Sequence, residues 1–116
     1  MGSKSSSIYS KLAGLYDTLM QDVDYESWAD YIDEIMQTHH EDPIDILEMG
    51  SGTGSMALSL AELECYSITA SDLSSEMLDV AQRKASMDDI SLEYLVSSFQ
   101  ELNVQDKFDC IFSFVE

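Results

Sequence analysis

The sequence is poor in basic residues and in long apolar runs, and both scarcities narrow the class of protein. Only 5 of its 116 residues are Lys or Arg, against 23 Asp or Glu, so the formal net charge is −18. Such a field repels phosphate backbones and anionic lipids, and we expect neither nucleic acid nor a membrane as a partner. No apolar run approaches the roughly 18 residues of a membrane-spanning helix. The start, MGSKSSS, also lacks the apolar centre of a signal peptide.

Cysteine and histidine are scarce as well, with two of each. Cys65 and Cys110 fall in stretches that have the composition of strands, and neither has a second Cys or a His at metal-ligand spacing. We therefore expect no metal site, and two free thiols without a secretion signal predict a cytoplasmic setting. His39 and His40 stand at a predicted helix end, where solvent exposure is expected.

Hydrophobic periodicity predicts two helices followed by alternating strands and helices. Helical spacing covers 8–20 and then a stripe that runs from Tyr25 to Met36, with Asp24 as its N-cap and Pro43 at its exit. Beyond Pro43 the predicted elements are strands at 44–49, 66–71, 92–96 and 108–115 and helices at 53–63 and from Ser74. Such alternation predicts an α/β fold with a Rossmann-like parallel sheet and helices on both faces.

The junction of the first predicted strand and the next helix carries the motif E-x-G-x-G-x-G, from Glu48 to Gly54. Three glycines let the backbone approach a ligand closely and adopt dihedral angles that other residues avoid. A dinucleotide fingerprint would have glycine at the position of Ser55, and the Gly-Lys-Ser/Thr of a P-loop is absent. The motif therefore predicts a ligand site without settling the ligand.

Asp72 ends the second predicted strand, 72 − 54 = 18 residues after Gly54. An acidic side chain at this point of a βαβ unit can accept hydrogen bonds from both hydroxyls of a ribose. The alternative is that Asp72 only caps the helix that begins in SDLSS. The spacing of Asp72 from the glycine motif favours ribose binding over helix capping.

With these motifs in place, the chain resembles the N-terminal half of a class I S-adenosylmethionine-dependent methyltransferase of the small-molecule branch. The resemblance rests on LEMGSGTG, ITASDLSSEML, EYLVSSFQEL and KFDCIFSF, and on the early YSKLAGLYDTLMQDVDYESWADYI. It implies S-adenosyl-L-methionine as cofactor, a small-molecule methyl acceptor and the sheet order 3-2-1-4. It also implies a helical cap over 1–43 and a cofactor-binding half-domain over 44–116.

The resemblance implies a cofactor-binding set drawn from the cap, the glycine loop and the strand ends. Its members are Tyr16, Trp28, Glu48, Gly50, Ser51, Gly52, Gly54, Asp72, Leu73, Met77, Ser98, Phe99 and Ser113. The glycines and Glu48 would meet the methionine part, with Ser51 where the family often has cysteine. Asp72 would hold the ribose, and Ser113 would lie near the methionine end.

Four further members would surround the adenine: Leu73, Met77, Ser98 and Phe99. Ser98 stands where many family members have aspartate, and its hydroxyl is the weaker acceptor. Tyr16 and Trp28 would close over the cofactor, although ordinary core packing on an amphipathic stripe is the alternative for both. No catalytic base is identified.

Family members continue for three more strands, so we expect this chain to be truncated after its fourth strand. The open edge of that strand would then favour a homo-oligomer. Two rivals stay open: a non-catalytic module that binds the cofactor or only self-associates, and a nicotinamide dehydrogenase. Ser55 and the lack of a Tyr-Lys or His catalytic arrangement weigh against the dehydrogenase.

Overall fold

The computed structural model of the chain describes residues 23–96 and 108–114. These residues form three helices and four strands, in the order α1 (Tyr25–His39), β1 (Asp45–Met49), α2 (Ser55–Ala61), β2 (Ser67–Asp72), α3 (Ser75–Met87), β3 (Glu93–Val96) and β4 (Cys110–Phe112). The helix predicted over 8–20 lies outside the described residues. In the described ranges, no helix is both long and apolar enough to cross a membrane.

The four strands form one parallel sheet in the order β3-β2-β1-β4, which confirms the predicted architecture. Met49 at the end of β1 lies opposite Ser71, and Glu48 lies opposite both Ala70 and Phe112. Because parallel strands end at a common edge, the loops that follow β1, β2 and β4 meet there.

The two central strands carry the core. Ile46, Leu47, Ile68 and Ala70 are at most 2% exposed, and each fully buried Ile or Leu side chain contributes roughly 1.5–3 kcal/mol. The helices add further buried residues, which are Ala29, Met36, Met56, Ala57, Leu58, Leu60, Leu78, Ala81 and Ala85.

Helix α1 begins where the sequence predicted. The Asp24 carboxylate accepts hydrogen bonds from the Ser27 amide at 3.0 Å and the Ser27 hydroxyl at 2.7 Å, and these bonds lower the pKa of Asp24. Its apolar stripe is only partly buried, since Trp28 is 47% and Ile35 43% exposed. Ala29 and Met36 are buried in the shared core, and Tyr25 and Ile32 pack against it while partly buried.

Tyr66, just before β2, ties α1 to the sheet. Its hydroxyl donates to Asp33 and accepts from the Gln37 amide at 2.9 Å. Burial and the Asp33 carboxylate raise the pKa of Tyr66 to about 12, so this hydroxyl stays protonated at neutral pH.

Several predicted boundaries were wrong by a few residues. Helix α2 starts at Ser55 because Gly54, with φ +80°, is its N-cap, and Thr53 lies buried in the preceding loop. β4 is confined to Cys110–Phe112. Cys65 does not belong to a strand but lies exposed in the turn before β2, next to Glu64 with its left-handed φ of +60°.

Asp109 fastens β4 to β1. Its carboxylate accepts from the Ile44 amide at 2.8 Å and the Asp45 amide at 3.0 Å, and its own amide donates to the Asp45 carbonyl at 2.7 Å. His39 is exposed as expected, and the His40 side chain is 38% exposed while its Nε2 lies 3.7 Å from Asp109. The backbone hydrogen bonds, with a smaller effect of His40, lower the pKa of Asp109.

We predict that Asp109→Asn weakens the β1–β4 junction in a pH-dependent way. Because folding lowers the pKa of Asp109, its ionised form contributes stability above the unfolded-state pKa, which is roughly 4. That contribution is lost as the pH falls through the lower folded-state value. Urea denaturation at pH 7 and pH 3 should show parent and variant clearly separated at pH 7 and closer at pH 3. A gap that widens towards low pH would contradict this assignment.

Candidate functional site

The Asp72 carboxylate is the centre of the site. One oxygen, Oδ2, accepts from the Gly52 amide at 2.8 Å, and the other, Oδ1, accepts from the Ser74 amide at 2.9 Å. Asp72 is the last residue of β2 and is not the cap of α3. That cap is Ser74, whose hydroxyl accepts from the Met77 amide at 3.2 Å. Helix capping therefore does not account for Asp72.

The loop after β1 is also bonded to β2 through its backbone. The Ser51 amide donates to the Ser71 carbonyl at 2.8 Å, and the Ser71 hydroxyl donates to the Glu48 carbonyl at 3.0 Å. Glu48 itself is 2% exposed, the only acidic side chain that is buried among the described residues. It lies one residue before the end of β1, between β2 and β4 in the sheet, and two residues before Gly50.

All three glycines of the motif have left-handed φ values, +66° at Gly50, +57° at Gly52 and +80° at Gly54. Their surroundings differ. A Cβ at Gly54 would lie 2.8 Å from the Ala81 Cβ, whereas a Cβ at Gly52 would meet no heavy atom within 4 Å. Gly54 is thus required for helix packing, and Gly52 faces open space.

The tip of β4 approaches the same loop and leads to an aromatic cluster. The Ser113 Oγ would be 3.8 Å from a Cβ at Gly50. The ring of the next residue, Phe114, lies 5.4 Å from that of Trp28 and 6.1 Å from that of Tyr25. Trp28 also contacts Tyr31 edge to face at 6.0 Å.

An open surface depression of about 360 Å³ adjoins this cluster, and it is lined by Asp24, Ser27, Trp28 and Tyr31. Trp28 therefore combines aromatic contacts with an open face, which differs from ordinary core packing.

The other residues predicted to bind the cofactor fall into two groups, one at the junction of β2 and α3 and one outside the described residues. Leu73 is 71% exposed and Met77 half-buried, both where β2 passes into α3. Tyr16, Ser98 and Phe99 lie outside the described residues. The described part of the site thus consists of the glycine loop, the ends of β1, β2 and β4, the start of α3, and Trp28.

Sequence reasoning missed Lys84, which contacts the loop from α3. Its Nζ donates to the Ser55 hydroxyl at 2.9 Å and to the Thr53 hydroxyl at 3.4 Å. The sequence offered one indication of this contact: Lys84 follows Ala81 by three residues, so the two side chains lie on the same face of α3.

A glycine loop between a parallel strand and a helix, with a carboxylate at the end of the next strand, defines a Rossmann-like nucleotide- or nucleoside-binding half-domain. The profile of the family described as "Methyltransferase domain" matches residues 46–116. A solved S-adenosylmethionine-dependent methyltransferase from Clostridium acetobutylicum superimposes with a TM-score of 0.69 at 31% identity, covering 91% of this chain and 43% of that one.

Two curated relatives agree. A protein of Geobacillus sp. (strain WCH70) classed as a methyltransferase is 33% identical over 109 residues, which are 93% of this chain and 44% of that protein. The release factor glutamine methyltransferase of Lactococcus lactis is 35% identical over 83 residues, 71% of this chain and 30% of that protein. The chain belongs to the class I S-adenosylmethionine-dependent methyltransferase family, and it spans less than half the length of these relatives.

We predict that Gly54→Ala destabilises the fold more than Gly52→Ala. Both substitutions force alanine into a left-handed conformation, which costs roughly 1–2 kcal/mol. Only Gly54→Ala adds a steric conflict with Ala81, worth roughly 1–3 kcal/mol more. Urea denaturation measures both free energies of unfolding, and equal losses would contradict the packing role of Gly54.

Proposed function

We propose that this chain is the cofactor-binding N-terminal part of a methyltransferase that transfers the methyl group of S-adenosyl-L-methionine to a small molecule. Residues 1–43 would form a helical cap and residues 44–116 the cofactor-binding half-domain. The observation that carries the proposal is the open space at Gly52, directly beside the Asp72 carboxylate that bonds to its amide.

The hydrogen-bonding capacity of Asp72 supports a ribose at this position. An ionised carboxylate has about four lone-pair sites. The Gly52 and Ser74 amides use one site on each oxygen. One site on each oxygen then remains for the two ribose hydroxyls, so Asp72 can hold the loop and the ligand together.

The cofactor, when bound, supplies an activated methyl group, and the protein's task is to align it with the acceptor and to exclude water. Gly50 and Gly52 would allow the backbone to approach the methionine part, and Ser113 would border it. Trp28 and Phe114 would shield the same end from solvent. Leu73 and Met77 would flank the adenine together with Ser98 and Phe99, and Tyr16 would belong to the cap.

The surface beside Trp28 supports a small-molecule acceptor, and the two cysteines support a cytoplasmic setting. The open depression beside Trp28 combines aromatic rings with the Asp24 carboxylate, and such a mixed surface suits one side of a small-molecule site. Cys65 and Cys110 are both free, which suits a reducing compartment.

Titration calorimetry with S-adenosylhomocysteine tests cofactor binding. We expect the parent to bind it more tightly than NAD. Asp72→Asn should weaken binding by roughly tenfold to a hundredfold, because hydrogen bonds to an ionised acceptor contribute about 1.5–3 kcal/mol. Asp79→Asn, on the exposed side of α3, is the matched control with the same change of charge and should leave affinity unchanged.

Tighter binding of NAD, or equal affinities for parent and Asp72→Asn, would overturn the proposed site. Methyl transfer to an acceptor distinguishes an enzyme from a non-catalytic cofactor-binding module. A folded chain that binds S-adenosylhomocysteine but transfers no methyl group, either alone or within a longer chain, would favour the module.

We also propose that the isolated chain self-associates through the edge of β4. Among the described residues, β4 pairs with β1 alone, and its sequence Cys-Ile-Phe carries no charge. Ile111 is 39% exposed beside the similarly exposed Ile35 of α1, and both line one groove. Light scattering at moderate salt should report a dimer or larger species, and Ile111→Lys should shift it towards monomer. A monomeric parent would contradict this proposal.

A further inference from the structure

Lys84 is one of 5 basic residues in a chain with 23 acidic ones, and its ammonium group donates to two hydroxyls at the junction of the glycine loop and α2. The Ser55 hydroxyl lies 2.9 Å from Nζ, and the Thr53 hydroxyl lies 3.4 Å from it. Lys84 and Ser55 are half-buried, and Thr53 is completely buried. These contacts join positions 29 and 31 residues apart in the sequence.

The two hydroxyls flank Gly54, the residue at which the loop turns into α2. Gly54 has a φ of +80° and packs against Ala81, one turn before Lys84 on α3. The same face of α3 thus contacts the loop twice, through a tight apolar contact at Gly54 and through hydrogen bonds on either side of it. Any rotation of the loop about Gly54 would break one or both sets of contacts.

The chemistry of the contact restricts the loop further. An ammonium group has three donors and no acceptor, so both hydroxyls must accept from it. Accepting from a fixed donor restricts the side-chain torsion of Thr53 and Ser55 and thereby the backbone between them. On the opposite side, the Gly52 amide is held by Asp72.

We propose that Lys84 is a positioning residue for cofactor binding: from α3 it holds the glycine loop in the conformation that presents Gly52 to the cofactor. It lies behind the loop, on the side of Thr53 and Ser55, and acts without contacting the cofactor. This inference rests on the proposed function for its consequence, although the conformation of the loop can be measured without any ligand.

Lys84→Met tests it, because methionine keeps an unbranched apolar stem and loses the donors. Arg83→Met is the matched control: it removes the same charge from the neighbouring residue, which is exposed and donates to the Asp79 carbonyl of its own helix. We expect Lys84→Met to weaken S-adenosylhomocysteine binding by about tenfold and Arg83→Met to change it less than twofold. Ser55→Ala should reproduce part of the loss, and in the double variant the two losses should not add.

Amide hydrogen exchange of the unliganded proteins provides the second readout. The Gly52 and Gly54 amides, bonded to Asp72 and to the Ser51 carbonyl, should exchange about fivefold to tenfold faster in Lys84→Met. Amides of β1 and β2 should be unchanged, and Arg83→Met should match the parent throughout. If the parent fails to bind S-adenosylhomocysteine, the proposed function fails and the exchange rates alone decide whether Lys84 holds the loop.

Three results would overturn the inference. Unchanged exchange at Gly52 and Gly54 would mean that Lys84 does not hold the loop. Faster exchange with unchanged affinity would make Lys84 a structural brace only. Weaker binding with unchanged exchange would mean that Lys84 acts on the cofactor directly.

Discussion

The hydrogen bonds from the Gly52 and Ser74 amides to the Asp72 carboxylate connect the loop after β1, the end of β2 and the start of α3. They are possible only because β1 and β2 run parallel with Met49 opposite Ser71, so that both strands end at one edge of the sheet. A shift of register would carry Asp72 away from the loop and would remove Ser71 from its contacts with Ser51 and Glu48. The buried strands thus set the register, and the register sets the site.

Electrostatics impose a second constraint. The chain has a net charge of −18 and only 5 Lys or Arg residues. Of these, Arg83 and Lys84 are the two in the described ranges; they are neighbours on α3, where Arg83 donates to the Asp79 carbonyl and Lys84 to the Ser55 hydroxyl. The acidic groups near the sheet are accommodated locally instead. Asp109 accepts backbone amides, Asp33 accepts the Tyr66 hydroxyl, and Asp24 caps α1. Each of these three carboxylates is therefore stabilised by hydrogen bonds from backbone amides or hydroxyls.

The sequence predicted the elements and the strand order better than the contacts that shape the site. Periodicity and glycine placement are local signals, and they identified β1, the glycine loop and the cap at Ser74, although the helix predicted from Thr53 wrongly included Gly54. The bond of Asp72 to Gly52 was not foreseen, because the same spacing that indicates a ribose partner gives no sign of a backbone one. Lys84, and the His40–Asp109 pair, join residues about 30 to 70 positions apart, and only the assembled sheet brings them together. Trp28 fits the helical spacing of apolar residues but lies at the rim of the core and is 47% exposed. Helical spacing alone does not distinguish a buried side chain from a half-exposed one.

Two-dimensional amide NMR of the isotope-labelled chain, during titration with S-adenosylhomocysteine, tests whether the cofactor binds at Gly52 and Asp72. We expect the largest chemical-shift changes at the amides of Gly50, Ser51, Gly52 and Asp72, with smaller ones at Ser113 and Leu73. Amides at the amino-terminal ends of the central strands, such as those of Asp45 and Ser67, should show no chemical-shift change. If the largest changes fall at the amino-terminal ends of the strands, or if no amide shifts at saturating ligand, the cofactor does not bind at Gly52 and Asp72.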